Sequence, residues 1–174
     1  MKFNEDTRVK IPTILYLMRL GYQYLSLKGQ SWDLDTNIFP ELFNAAILKI
    51  NPGIESDDVS LLLEDIKLEL DNEDLGRAFF ERLTDRSNTK LIDFENFNKN
   101  SFHVVTELTD QNGDEEFRQD ISLLINGMPL VFIEVKKPNN REGILAARTY
   151  AATCLTPPHV NELPSSCGRL RTDD

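Results

Sequence analysis

At 174 residues and 40% apolar composition, the chain has enough material for one globular domain with a full core. No apolar run approaches the roughly 20 residues of a membrane helix, and the opening Met1-Lys2-Phe3-Asn4-Glu5-Asp6 lacks the apolar centre of a signal peptide, so a cytoplasmic protein without membrane association is expected. The net charge of −10 argues against a generally basic, DNA-coating surface, but residues 55–74 carry nine acids and one base, which leaves only −2 for the rest of the chain.

That acidic run reads as a solvated helix face. An acidic protein can still meet phosphates where a local basic edge and a bound cation offset its carboxylates. Cys154 and Cys167 form no close-spaced pair and indicate neither a disulfide framework nor a zinc site.

Residues 4–20 place Ile11, Ile14, Leu15 and Met18 at helical spacing, with Pro12 kinking the helix or marking its start and Gly21 closing it. Glu5 and Asp6 suit a helix N-terminus electrostatically; a second reading points Glu5 at an active site. Pro40 to Ile50 begins with a proline suited to a first turn and stops at Asn51-Pro52-Gly53. Asp57 to Leu70 sets Val59, Leu62, Leu63, Ile66 and Leu70 on one stripe, and a further helix is expected over Glu73 to Leu83 with Leu75, Ala78, Phe79 and Leu83 inward. These three helices read as core-packing elements.

From Ser101 the period changes to two. Phe102 to Thr109 predicts a strand ending in the turn cluster Asp110 to Asp114; Phe117 to Ile125 and Met128 to Lys136 predict two more strands joined at Asn126-Gly127, so the three form an antiparallel meander. Gly143 to Tyr150 follows as a short helix. Residues 155–174 have no periodicity and read as a disordered or non-native tail to a domain spanning 1–154, with a helical insertion over about 38–84.

Charges interrupt the second and third strands at Asp120, Glu134 and Lys136, where an uncompensated buried charge would be costly. Side chains alternate along a strand, so Glu134 and Lys136 share a face. A regular two-residue Asn126-Gly127 loop would pair residue 120 with 133 and put Asp120 on the wrong face. A three-residue loop with Gly127 in a G1 bulge would pair 120 with 132; one centred on Gly127 would set Asp120 opposite Glu134. An odd loop or a compensating bulge is therefore expected.

Two carboxylates on neighbouring strands repel one another, and a hard divalent cation relieves the repulsion. Mg2+ fits, with Asp120 and Glu134 as ligands and the Val135 backbone carbonyl as a third. Lys136 is then placed to orient or help deprotonate an attacking water and to offset charge on a phosphate. Lys137, Asn140, Arg141 and Arg148 are candidates for a basic edge against a DNA backbone. The plainer alternative is a sheet face on which Asp120 and Lys136 pair as ions. The chain has no G-x-x-x-x-G-K-[ST], G-x-S-x-G or H-E-x-x-H pattern, and His103 and His159 stand alone.

Asp120, then ISLLINGMPLVF, then Ile133-Glu134-Val135-Lys136-Lys137-Pro138 resembles the PD-(D/E)xK nuclease motif. Its phrasing, with the opening Asn4-Glu5-Asp6-Thr7-Arg8-Val9-Lys10, resembles the N-terminal endonuclease domain of the restriction (R) subunit of type I restriction-modification enzymes over roughly residues 1–149. The resemblance implies a restriction-endonuclease-like α/β (α+β) core, an antiparallel meander flanked by helices, and Mg2+-dependent cleavage of double-stranded DNA. Asp120 and Glu134 would bind the metal and Lys136 would be the catalytic lysine. In that family ATP-driven motor lobes follow the nuclease domain, and methylase and specificity subunits are its partners. Gln119 stands where the motif has proline, and Ala146 stands where a glutamine usually precedes a tyrosine such as Tyr150 by four residues. A stand-alone repair or junction nuclease, and a catalytically silent DNA- or partner-binding module, are the competing readings.

Overall fold

The computed structural model describes residues 6–74, 76–85, 88–112 and 115–135. A π-helical turn, Asp6–Lys10, leads into α1, Ile11–Arg19. Pro12 sits in the first turn of α1, where its missing N–H leaves no bond unmade, and Gly21, at φ +107°, ends the helix as expected. The expected inward stripe is rotated. Ile14 and Leu17 pack on the sheet while Ile11, Leu15 and Met18 are exposed. Apolar residues almost surround this helix, so periodicity alone could not choose the face.

The helices α2, Pro40–Ile50, and α3, Ser56–Leu70, lie where the spacing predicts them. Phe43, Ile47 and Ile50 meet Val59, Leu62 and Ile66 in one buried cluster, and the acids of α3 stay on its outer face. Glu55 and Asp58 close a reciprocal capping box at the start of α3. The next helix, α4, spans Arg77–Thr84 and starts four residues later than expected. The Asp74 carboxylate accepts the main-chain N–H groups of Gly76, Arg77 and Ala78, which makes it the stop before the helix and not part of its first turn. Phe79 and Leu83 of α4 close over the α2–α3 cluster.

Among the described residues the sheet has four strands, in the order β1 (Gln23–Tyr24), β2 (Phe102–Asn112), β3 (Glu115–Ile125) and β4 (Met128–Ile133). The last three form the predicted meander. The two-residue β1, too short to show a period, adds in parallel to β2 at Gln23↔His103 and Tyr24↔Val104. One face of the sheet packs Val104, Ile121 and Leu123 against Leu17 of α1; the other packs Val105, Leu108 and Leu124 against Phe39. The helix expected over Gly143 to Tyr150 and the tail beyond it lie outside the described residues.

The β3–β4 turn is buried. Asn126 and Gly127 take φ +52° and +80°, the left-handed pair of a two-residue hairpin turn. The Asn126 side chain accepts from the Ser101 amide and donates to the Leu91 carbonyl and to Asn100 Oδ1. The Phe39 amide donates to the Gly127 carbonyl, and α2 closes so tightly on Gly127 that a Cβ there would lie 2.7 Å from the Phe43 nitrogen. The base of the hairpin is thereby clamped to the helical half of the molecule.

Candidate nuclease site at the β3–β4 hairpin

Next to the turn, Ile125 pairs with Met128 and Leu124 with Pro129, the register of a regular two-residue loop. Beyond Leu123 the register moves by one, giving Leu123↔Val131, Ser122↔Phe132 and Ile121↔Ile133, so that Leu130 is the extra residue of a bulge. The loop is even, not odd, and the bulge supplies the one-residue register change expected in its place. Continued by one step, the outer register sets Asp120 opposite Glu134. The ladder itself ends at Ile133 and does not reach Lys136 as expected. Past that point the Val135 amide donates to Asp120 Oδ2 at 2.8 Å, so a side chain replaces a ladder carbonyl. Val135 is buried beside Leu17, Val104 and Ile121, which holds the end of β4 in place.

The other side of Asp120 is irregular as well. Val104 packs toward α1, yet Leu108 packs with Val105 on the opposite face, so the alternation of β2 slips between them. The slip falls at Glu107, a non-glycine residue at φ +62°. In β3 the Ser122 hydroxyl donates to the Gln119 side chain, although residues three apart should face opposite ways. Both strands slip at the same level. The pairs Thr106↔Ile121 and Leu108↔Gln119 flank it, leaving Glu107 facing Asp120 with no ladder pair between them. Non-glycine residues held in the left-handed region cost of order 1 kcal/mol or more and persist where surrounding contacts over-determine them.

Those contacts are ionic. Lys10, the last residue of the π-helical turn, reaches in with its side chain only 10% exposed and pairs with Glu107. Its Nζ also lies 3.8 Å from Asp120 Oδ1. Arg118 Nε meets the other Glu107 oxygen at 2.6 Å. Asp120 therefore has one oxygen committed to the Val135 amide and the other facing an ammonium beyond hydrogen-bonding distance.

Of the residues singled out in the sequence, Asp120 and Val135 are joined by a hydrogen bond at the open end of the hairpin, and Glu134 lies between Val135 and Ile133, the last residue of the ladder. Glu5, Lys136, Lys137, Asn140, Arg141 and Arg148 lie outside the described residues. Among the described residues, no group of three or more His, Cys, Asp or Glu side chains could hold a metal by itself. A cation here would draw on Asp120, Glu134 and main-chain or water oxygens, a hard-oxygen donor set that fits Mg2+. Lys10 and Glu107 escaped the sequence reading, though both left a signal. Lys10 stands four and seven residues before Ile14 and Leu17, on the buried stripe of a helix, and Glu107 interrupts an otherwise apolar, β-branched strand.

The helices and the mixed sheet define an α+β domain consistent with the restriction-endonuclease-like fold. The family model for the type I restriction enzyme R protein N terminus matches residues 2–162, and the chain belongs to that family. It is 32% identical over 170 residues to the "Putative type I restriction enzyme MjaIXP endonuclease subunit" of Methanocaldococcus jannaschii, an alignment covering 81% of this chain and 16% of that protein. It is also 40% identical over 65 residues to the similarly named MjaVIIP endonuclease subunit of the same organism, covering 35% of this chain and 6% of that one. The chain thus corresponds to a small part of the length of these relatives. No solved structure matches it. No helix among the described residues is long and apolar enough to cross a membrane.

Proposed function

We propose that this chain is the endonuclease part of a type I restriction subunit and that it hydrolyses phosphodiester bonds of double-stranded DNA in a Mg2+-dependent reaction. The observation that supports the reading is the Leu130 bulge, whose outer register, continued one step past Ile121↔Ile133, would bring Asp120 across from Glu134 despite a two-residue turn.

In this reading Asp120, Glu134 and the Val135 carbonyl hold the cation, with Glu5 as a further ligand from the N-terminal segment. When bound, Mg2+ supplies Lewis acidity toward the phosphodiester. Asp120 is oriented for its part by the Val135 amide, which fixes Oδ2 and leaves Oδ1 to the site. Lys136, two residues beyond Glu134, orients the attacking water and offsets the charge that builds on the phosphate. Lys137, Asn140, Arg141 and Arg148 form the basic edge along the DNA backbone. An ATP-driven motor and the methylase and specificity subunits belong to the longer cytoplasmic complex in which such a domain works.

The test is Mg2+-dependent cleavage by the full-length subunit in its complex, comparing wild type with Asp120→Ala, Glu134→Ala and Lys136→Ala. Loss of cutting in all three, with DNA binding retained, is expected. Cutting equal to wild type by the variants would remove the assigned site, and absence of cutting by the wild-type complex would favour a silent binding module.

A further inference from the structure

Lys10 is not needed to fill the core. An apolar side chain at this position would pack with Ile14 and Leu17 without the penalty of desolvating an ammonium. Instead the structure buries a lysine and gives it two carboxylates, pairing it with Glu107 and placing it 3.8 Å from Asp120. Arg118, Glu107, Lys10 and Asp120 alternate in sign along one chain of contacts. The links tie together the N-terminal turn, the left-handed residue of β2 and the candidate metal ligand on β3. Asp120 is held at Oδ2 by the Val135 amide, and its Oδ1 faces the Lys10 charge at 3.8 Å.

We infer that Lys10 is a positioning residue for the nuclease site: it orients Asp120 and, as the resident counter-charge of Asp120 and Glu107, sets how tightly the site takes up a divalent cation. The inference rests on Asp120 being a metal ligand. A unit positive charge about 4 Å from a ligand oxygen repels an incoming cation, while its removal leaves Asp120 facing Glu107 without the charge between them, Glu107 keeping only its contact with Arg118. Lys10→Met keeps the length and apolar stem of the side chain and deletes the charge. It should therefore tighten Mg2+ binding while impairing turnover, a combination that a purely structural lysine does not produce.

The experiment is a calorimetric titration of Mg2+ into the full chain without DNA or nucleotide, for wild type, Lys10→Met, Lys10→Arg and Asp120→Ala, alongside cleavage kinetics of the same variants in the full complex. Lys10→Met should bind Mg2+ about fivefold more tightly than wild type. Its kcat should fall about tenfold with KM for DNA little changed, the pattern of a lost orienting contact. Lys10→Arg, which retains the charge, should restore the Mg2+ affinity. If Lys10→Met binds Mg2+ with wild-type or weaker affinity while Asp120→Ala loses binding, the role given to Lys10 is wrong and the metal assignment stands. If Asp120→Ala binds Mg2+ as wild type does, or wild type does not bind it, the metal assignment fails and takes the Lys10 inference with it.

Discussion

Asp120 closes the sheet where the ladder stops: its Oδ2 accepts the Val135 amide at 2.8 Å, two residues past the last residue of β4. One carboxylate oxygen is thus structural while the other faces the candidate site. Asp120→Ala should lower stability by about 1–2 kcal/mol, because the half-buried amide loses its acceptor. Asp120→Asn, which keeps an acceptor oxygen, should lose less, and neither variant should cut DNA. Chemical denaturation of the two variants beside a cleavage assay separates the two roles of the residue.

Deleting Leu130 removes the extra residue of the bulge and restores an uninterrupted two-residue hairpin register. Leu123, Ser122 and Ile121 would keep Val131, Phe132 and Ile133 as partners, so the register next to Asp120 would be unchanged and no side chain would change face. The deletion variant should still cut. Leu130 also packs against the α2–α3 cluster, so a stability loss of about 1–3 kcal/mol should accompany the deletion. Leu130→Ala is the control, since it removes the packing and keeps the bulge. A folded deletion variant that no longer cuts would show that the site needs the bulge itself and not only the register.

Gly127 tolerates no side chain. Its φ is +80°, and a Cβ would come within 2.7 Å of the Phe43 nitrogen and 2.8 Å of the Phe39 oxygen, both main-chain atoms of α2 or the residue just before it. Gly127→Ala should cost about 2–4 kcal/mol, from backbone strain and displacement of α2 together. Asn126→Ala should be of similar severity, because it strands the Ser101 amide, the Leu91 carbonyl and Asn100 in a buried setting. Thermal melts measure both effects.

His103 supplies a pH dependence. It is buried in β2, its Nδ1 has no hydrogen-bond partner among the described residues, and burial holds its imidazole below the ordinary value of 6.5. In the window between the folded value and 6.5 the unfolded chain binds more protons than the folded one, so stability rises with pH there. The contribution is fully present above pH 6.5 and is lost as the pH falls through the folded value. Denaturant midpoints from pH 7.5 to 5 should decline for wild type, and the decline should be shallower for His103→Gln.

The sequence by itself determined the class of this protein. Alternating β-branched runs around Asn126-Gly127 predicted the meander, helical spacing located α2 and α3, and the acids and lysine breaking the apolar strands marked Asp120, Glu134 and Lys136. These features rest on local periodicity and on the cost of burying charge, both of which are written along the chain. The tertiary structure alone decided which side of α1 faces the sheet, that β1 joins β2 in parallel, and that the hairpin corrects its parity with a bulge at Leu130 and not with an odd loop. It alone brought Lys10 to Glu107 and Asp120 across 97 and 110 residues of chain. Such choices depend on competition among distant surfaces for the same neighbours: α2 clamping the turn, Val135 seating beside Leu17, a buried ammonium requiring two carboxylates. No local pattern carries that information.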